Sequence, residues 1–382
     1  MVNRAYWQEL IESAWKHRSI VWLAGVRRVG KTRLCQSLPN IDYFDCELPR
    51  VRQQLEDIES FFDTKQKKRI ILDEVHRLNN PSEILKIAAD HYPSIKVLAT
   101  GSSTLGASSK FADTLTGRKT DLWLTPMINA EINLFGDTNL KHRLLFGGLP
   151  PFFMSKSLPE HDYQEWIDSY WAKDIQELFR LERRDSFQKF TELLLAQSGG
   201  IFEASKFAIP CEVSRQTITN YLKVLEATFV AHVIKPFNTH RPTEIVSAPK
   251  VYGFDSGFVC HAKGWLELRQ EDLGLLWEHY VLNEMNARLQ TRKIHYWRDK
   301  QKHEIDFILQ KKRSKSLIAI ECKWLANQFD PDNMKIFREK YPQGENYVVA
   351  SNISDSFHKK YGDLSVHFVG LHDLIMNVQQ IA

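Results

Sequence analysis

A glycine-rich loop near the amino terminus restricts the possible folds of this 382-residue chain more than any other feature. Residues 25–32 read G-V-R-R-V-G-K-T, which fits the pattern G-x-x-x-x-G-K-[ST] in full. The apolar run 20–24 precedes the loop, and a helical pattern follows it. Glycine lets backbone N–H groups wrap around phosphate oxygens, and the start of a helix adds a positive dipole end. The order of strand, loop and helix therefore predicts a phosphate-binding loop.

The polar residues of this loop have expected roles. The ammonium of Lys31 would reach the β- and γ-phosphates of a nucleotide, and the Thr32 hydroxyl would ligate Mg²⁺. ATP and Mg²⁺ are therefore the expected cofactors. Arg27 and Arg28 also lie inside the loop, and the pattern leaves open whether they face phosphate, DNA or only solvent. The residues expected to contact the nucleotide are Gly25, Arg28, Val29, Gly30, Lys31, Thr32, Arg33 and Ser102.

Two adjacent carboxylates close a second apolar run. The sequence from Arg69 to Leu72 predicts a buried strand that ends in Asp73 and Glu74. Strand ends are where an α/β sheet presents groups to its ligand. Asp73 would hold Mg²⁺ through water and Glu74 would polarise the attacking water, which favours a hydrolase. The alternative is a strand that merely ends in two solvated acids.

Two further features bear on hydrolysis. A third strand, 97–100, ends in a polar turn whose Ser102 would report the nucleotide state, unless it is an ordinary turn residue. Arg118, in the sequence T-G-R, is a candidate arginine finger that acts in cis or on a neighbouring subunit. The alternative for Arg118 is a solvated or salt-bridged surface residue.

The pattern of the whole chain predicts three domains. Short apolar strands alternate with helices over residues 1–150, which predicts a parallel sheet with helices on both faces. Residues 151–245 are mostly helical in pattern, and residues 246–382 return to a mixed α/β pattern. We therefore expect an α/β fold class with a helical region between two α/β domains.

Charge and cysteine content limit the possible partners and compartments. The chain has 51 Lys and Arg against 47 Asp and Glu, and none of the three segments has a net charge beyond +4. Any nucleic-acid contact must therefore come from a local patch. Five scattered cysteines without a C-x-x-C pair indicate free thiols. A polar start and the absence of long apolar runs predict a cytoplasmic protein without membrane contact.

The middle segment contains a candidate nucleic-acid-binding helix. Ser214 is a plausible N-cap, and Ile218, Tyr221, Leu222 and Leu225 would form a buried stripe. Strand-like residues follow from Phe229, as in a winged helix-turn-helix. The alternative is a winged helix used only for packing or oligomerisation. The outward residues expected to contact nucleic acid are Arg215, Gln216, Thr219, Asn220 and Lys223.

The last segment contains a candidate metal-dependent hydrolytic site. Asp306 lies on one predicted strand, and Glu321 and Lys323 lie on the same side of the next strand. Glu278, on the preceding helix, is a candidate for a further acid. Carboxylates that bind Mg²⁺ beside a lysine suit phosphodiester hydrolysis. The alternative is an intact but idle site.

These motifs together resemble a family of prokaryotic AAA-like P-loop ATPases with a C-terminal domain of unknown function that has a restriction-endonuclease-like core. The resemblance implies a PD-(D/E)xK-type nuclease-like domain, ATP hydrolysis and work on DNA. Leu149 departs from the aromatic residue expected before Pro150, without an implied functional change. Besides the middle helix, the resembling segments are 25–32, 72–75, 100–103, 116–118, 124–126, 147–150, 171–175, 277–281, 306 and 321–323.

Three functions fit the sequence. The leading hypothesis is an ATP-driven protein that processes double-stranded or branched DNA with a Mg²⁺-dependent nuclease module. The second is a DNA-binding ATPase remodeller or regulator with an idle nuclease fold. The third is a signalling ATPase that assembles protein partners, which the near-neutral charge favours. A homo-oligomer is possible in each case.

Overall fold

The computed structural model describes residues 2–65, 68–101, 109–136, 139–176, 183–238, 248–311 and 316–379. The chain divides into two compact units, and each unit consists of three separate stretches of the sequence. The first contains Met1–Thr138, Leu149–Gln188 and Leu222–Val230. The second contains Asn139–Gly148, Lys189–Tyr221 and Ala231–Ala382.

The first unit contains a five-stranded parallel sheet. Its strands are β1 (Ile20–Ala24), β2 (Ile41–Asp45), β3 (Arg69–Asp73), β4 (Lys96–Thr100) and β5 (Lys119–Trp123), in the order β2-β3-β4-β1-β5. Every residue of β1 is buried, as expected for a strand covered on both faces. The predicted parallel α/β sheet is therefore confirmed, with the phosphate loop at the carboxyl end of its β1.

Helices cover this sheet. The first of them buries Trp7, Ile11 and Trp15 along one stripe, in agreement with the sequence pattern. The α-helices of the unit span Ala5–His17, Lys31–Gln36, Pro49–Gln54, Ile58–Asp63, Pro81–His91, Ser109–Leu115, Pro150–Phe153 and Glu160–Tyr170. Short 3₁₀ turns span Val75–Arg77 and Asn129–Phe135, and a π-helical turn spans Trp171–Ile175.

The second unit contains a nine-stranded mixed sheet in the order β13-β14-β12-β11-β10-β9-β7-β8-β6. Its strands are β6 (Gly200–Ile201), β7 (Ala231–Pro236), β8 (Lys250–Gly253), β9 (His295–Arg298), β10 (Glu304–Gln310), β11 (Leu317–Lys323), β12 (Gly344–Ala350), β13 (Phe357–Tyr361) and β14 (Leu364–Val369). Its α-helices span Leu140–Phe146, Ala204–Ala208, Ser256–Ala262, Gln270–Leu289, Asp332–Lys340 and Leu371–Gln379. Two more helices, Arg184–Ala196 and Arg215–Ala227, have residues in both units.

The large sheet joins segments that the sequence pattern assigns to different domains. Strand β8 pairs antiparallel with both β6 and β7, and β7 pairs in parallel with β9. The parallel contact is short, because it matches only Lys235 with His295 and Pro236 with Tyr296. The strands of the middle segment and those of the C-terminal segment consequently form one continuous sheet.

No helix among these described ranges combines the length and the apolar composition that crossing a bilayer requires.

Candidate functional site

The phosphate loop has a backbone that requires glycine at its ends. Gly30 has φ 101° and the helix Lys31–Gln36 begins directly after it. A Cβ added to Gly25 would lie 2.6 Å from the carbonyl oxygen of Leu124, which follows β5. The loop therefore leaves the sheet between two strands, at a place where no larger residue fits.

Lys31 folds back over this loop. Its Nζ donates hydrogen bonds to the carbonyl oxygens of Gly25 at 2.8 Å and Val26 at 3.1 Å. Burial lowers the pKa of the ammonium, although the carboxylates of Glu74 and Asp174 oppose this shift. The ammonium thus lies over the cradle that the loop backbone forms, where a phosphate group would bind.

Three neighbouring strands bring polar groups to Asp73. This carboxylate is 2% exposed and accepts a hydrogen bond from the Tyr43 hydroxyl at 2.6 Å. The Thr100 hydroxyl also donates to it, and accepts from the backbone N–H of Glu74 at 3.2 Å. Sequence reasoning missed Tyr43, because nothing in β2 alone marks it as a partner of β3. Both of its oxygens are thus engaged, and the expected contact of Asp73 with Mg²⁺ through water stays a prediction.

Glu74 lies just beyond the end of β3 with a left-handed backbone, φ 56°. Its carboxylate is 3.1 Å from His76 Nδ1. Burial opposes ionisation, but the His76 hydrogen bond and the charge of Lys31 outweigh it and lower the pKa of Glu74. Glu74 is therefore ionised at neutral pH, as a residue that polarises water requires. His76 was missed because its contact depends on this unusual turn.

A cleft of about 520 Å³ lies over the loop. Its lining includes the charged residues Lys31 and Glu74, the hydroxyl-bearing Thr32 and several apolar residues. A polyphosphate fits the charged part of this lining and a flat base the apolar part. The apolar surface was not foreseen and consists of Val2, Phe135, Pro150, Pro151 and Met154.

The other expected nucleotide contacts are distributed as follows. Arg28 and Arg33 both line the cleft, and Arg28 also pairs with Glu165 at 2.9 Å. Val29 is fully buried, and its carbonyl accepts a hydrogen bond from Arg4. Ser102 lies outside the described residues.

Arg118 lies away from the cleft. It precedes β5, whose first residue pairs with Ile20 at the start of β1. This is the amino edge of the parallel sheet, opposite the phosphate loop. Its guanidinium donates to Asp90 at 2.7 Å. Arg118 is thus salt-bridged in its own unit, and its position contradicts a role in cis.

A second group of charged residues lies in the other unit. The antiparallel register of β10 and β11 places Asp306 opposite Glu321, and Lys323 donates to Glu321 at 2.6 Å. Burial and the charge of Asp306 raise the pKa of Glu321 to about 8. Burial opposes the charge of Lys323, but the two carboxylates outweigh it and raise the pKa of its ammonium. The three predicted residues therefore share one electrostatic environment.

The fourth predicted residue of this group has a different partner. Glu278 accepts hydrogen bonds from Lys250 at 2.9 Å and from the Tyr252 hydroxyl. Lys250 is buried and also donates to Glu304 at 2.8 Å. Sequence reasoning missed Lys250, since a lysine that opens a short strand has no local signature. The group thus contains two lysines, and the second one neutralises Glu278.

The hydrogen bonding of the Asp306 and Glu321 carboxylates is suited to a divalent cation. The Oε1 atom of Glu321 is buried and has no hydrogen-bond partner within the described part of the chain. The Oδ2 atom of Asp306 accepts from the Cys322 N–H at 2.8 Å. Buried carboxylate oxygens without donors are costly unless a cation approaches them. Asp306 and Glu321 are therefore suitable ligands for Mg²⁺.

The helix Arg215–Ala227 has the faces expected from its sequence. Ser214 Oγ accepts from the Thr217 N–H at 3.1 Å and so caps the helix. The predicted stripe of Ile218, Tyr221, Leu222 and Leu225 is buried. The predicted outward residues are exposed except Thr219, which is partly buried and donates to the Arg215 carbonyl; they are Arg215, Gln216, Asn220 and Lys223.

Comparison with known proteins gives partial likenesses. Residues 17–133 match a family described as an AAA domain, and residues 137–269 and 273–367 match two domains of unknown function, DUF8612 and DUF4143. Uncharacterized proteins of Mycobacterium bovis and Mycobacterium tuberculosis are each 26% identical over 309 residues, which covers 77% of this chain and 68% of theirs.

Two solved structures are distantly similar. A Walker-type ATPase of Pyrococcus abyssi has a TM-score of 0.45 and 14% identity, covering 69% of this chain and 96% of its own. The Bacillus subtilis DNA clamp loader delta protein has a TM-score of 0.26 and 12% identity, covering 58% and 88%. The loop geometry and the AAA match, rather than these structures, support the conclusion that the first unit is an ATPase domain of the AAA/P-loop type.

Proposed function

We propose that this protein hydrolyses ATP to control a DNA-binding element and a Mg²⁺-dependent nuclease site on the same chain. The observation that carries the nuclease part is the Glu321 carboxylate, which is buried with one unpartnered oxygen opposite Asp306 and beside Lys323. This donor set suits a cation that acts on a phosphodiester. The ATP part rests on Lys31, Thr32, Asp73 and Glu74 at one sheet edge.

Within the nuclease site, Asp306 and Glu321 would hold Mg²⁺. When bound, the ion supplies an activated water and polarises the phosphoryl oxygens. Lys323 stays protonated because the neighbouring carboxylates raise its pKa, so it presents a positive charge to the scissile phosphate. Glu278 would join these ligands only after leaving Lys250.

The DNA-binding part of the proposal is supported by the order of elements in the middle segment. Helix Arg184–Ala196, β6, helices Ala204–Ala208 and Arg215–Ala227, β7 and β8 follow one another, and β8 pairs between β6 and β7. From this order we infer a winged helix-turn-helix, in which the helix before β7 would enter the major groove. Its exposed Arg215 and Lys223 would supply the local positive charge.

The test is cleavage of branched and linear DNA with Mg²⁺ by purified protein. Asp306→Asn and Lys323→Met are expected to abolish cleavage and leave ATP turnover unchanged, while Lys31→Ala abolishes turnover. Lys335→Met, which removes an exposed lysine paired with Asp332, is the matched control. Cleavage that persists in Asp306→Asn and Lys323→Met would refute the nuclease assignment.

The contact between Lys250 and Glu278 favours a second candidate, a DNA-binding ATPase with an idle nuclease site. In that case the ammonium of Lys250 permanently takes the place of a cation at Glu278. Calorimetric titration with Mg²⁺ separates the two functions, because only an active site binds the ion at Asp306 and Glu321. ATP turnover stimulated by DNA, without cleavage or metal binding, would identify the second candidate.

A further inference from the structure

Arg27, the third residue of the phosphate loop, is held by one helical segment at two points. Its guanidinium lies 3.2 Å from Asp174 Oδ2, and its carbonyl accepts from the Trp166 indole N–H at 3.1 Å. The next loop residue, Arg28, pairs with Glu165 of the same segment at 2.9 Å. Both loop arginines are thus engaged by acids of this one segment.

Asp174 is an unexpected residue in a cleft for phosphate. It lines the cleft together with Lys31 and Glu74, and only 4% of it is exposed. Burial raises the pKa of its carboxyl even though Arg27 stabilises the charged form. A carboxylate at this position repels the phosphates of a nucleotide. The Asp174 carboxylate instead pairs favourably with Arg27. A bound polyphosphate would compete with this carboxylate for the guanidinium of Arg27.

The local backbone fixes Asp174 in this place. It belongs to the π-helical turn Trp171–Ile175, which continues the helix Glu160–Tyr170. Trp171 and Ile175 are buried on either side of it. Single π turns inside helices are rare and occur mostly at functional sites. The carboxylate is thus held at the edge of the cleft by the packing of its neighbours.

We propose that Arg27 binds the terminal phosphate of ATP, and that Asp174 is the positioning residue that holds the guanidinium until the nucleotide arrives. The inference rests on the proposed ATP binding at the loop. Arg27 lines the same cleft as Lys31 and Glu74, which brings the guanidinium to the proposed phosphate site. Exchange of one carboxylate for phosphate oxygens keeps the guanidinium paired throughout.

The experiment compares ATP and ADP binding by Asp174→Asn, Arg27→Gln, the double variant and wild type. Asp174→Asn should bind ATP about five- to tenfold more tightly, the net contribution of one ordinary hydrogen bond, with a smaller gain for ADP. Arg27→Gln should weaken ATP binding and slow ATP turnover. In the double variant, Asp174→Asn should no longer increase the affinity for ATP. A gain that persists in the double variant, or no gain in Asp174→Asn, overturns the inference.

Two further arms separate this inference from the proposed function. Asp168→Asn makes the same chemical change on the same helix at an exposed ion pair with Arg184, and should bind ATP like wild type. Lys31→Ala should lose ATP binding; if it binds like wild type, the loop is not the nucleotide site and the proposed function fails. Should Asp174→Asn not fold, Arg27→Lys and Arg27→Gln decide: ATP binding by both at wild-type strength overturns the role of Arg27.

Discussion

Arg4 and Glu131, 127 residues apart, form a buried two-point ion pair beneath the phosphate loop. The Nε and Nη2 atoms of Arg4 donate to the carboxylate at 2.6 and 2.8 Å, and Nη1 donates to the carbonyl of Val29 at 3.0 Å. The carboxylate also accepts from the Ile128 N–H at 3.1 Å. A planar arginine thus ties the chain start and the turn after β5 to the loop backbone.

We expect Glu131→Gln to destabilise the first unit by about 3–5 kcal/mol, because it leaves the buried guanidinium of Arg4 without its counter-charge. ATP affinity should fall with it, since Arg4 holds the Val29 carbonyl. Denaturant unfolding measures the first effect. Glu12→Gln, which changes a half-buried pair with Arg69 near the surface, is the control and should cost only about 1 kcal/mol. Equal losses in the two variants would contradict a structural role for the buried pair.

His76 should act on hydrolysis through Glu74. Replacing Glu74 with Gln is expected to slow ATP turnover by roughly 10²–10⁴-fold without weakening ATP binding, the usual contribution of a general base. His76→Gln removes the imidazole contact 3.1 Å from Glu74 and should lower kcat less strongly, again with an unchanged Kd. Steady-state kinetics and equilibrium binding measure the two quantities separately. A raised Kd with an unchanged kcat in His76→Gln would show that it serves binding instead.

Lys250 should compete with a metal ion for Glu278. Lys250→Met leaves Glu278 and Glu304 without the ammonium that contacts both, so the second unit should lose stability by about 3–5 kcal/mol. Added Mg²⁺ should then raise the Tm of the variant more than that of wild type, because binding to the folded state stabilises it. The exposed Lys335→Met change should show neither effect. A Tm that does not respond to Mg²⁺ in Lys250→Met would argue against a cation site.

The sequence predicts the parts of this structure that depend on neighbouring residues. The phosphate loop and the acids that end β3 each lie within a few residues of an apolar strand, so local pattern was sufficient for both. The ion pairs of Arg27 with Asp174 and of Arg4 with Glu131 join residues more than 100 positions apart. Such pairs have no local signature, because folding alone brings them together.

The same reasoning explains the differences in the second unit. The sequence pattern predicts β7, β10 and β11, but the short parallel contact between Lys235 and His295 depends on tertiary packing. For this reason the sequence pattern predicts two separate domains for the middle and C-terminal segments, whereas in the structure one sheet contains strands of both. The ion pairs of Lys250 could not be predicted either, because its partners Glu278 and Glu304 lie on a helix and a strand much later in the chain.

Asp174 should make the stability of the first unit depend on pH. Burial raises the pKa of its carboxyl in the folded protein above the ordinary value near 3.9, so the folded state binds more protons than the unfolded state in that window. Stability is therefore lost as the pH rises through it. The Tm of Asp174→Asn relative to wild type should increase as the pH rises above about 4. Asp168→Asn should show a flat difference, and a decreasing difference for Asp174→Asn would reverse the assigned sign.

If the helix Arg215–Ala227 binds DNA, its two exposed cations should account for part of the salt dependence. Removal of one cation that pairs with a phosphate should reduce the slope of log K against log salt by about one, so Arg215→Ala and Lys223→Ala should each flatten it by that amount. Asn220→Ala, on the same exposed face, should weaken binding to a preferred sequence and leave the slope unchanged. Lys206→Ala, at an exposed pair with Glu203 on another helix, is the control. Fluorescence anisotropy at several salt concentrations measures the slope, and equal slopes in all four variants and wild type would exclude this helix as the DNA contact.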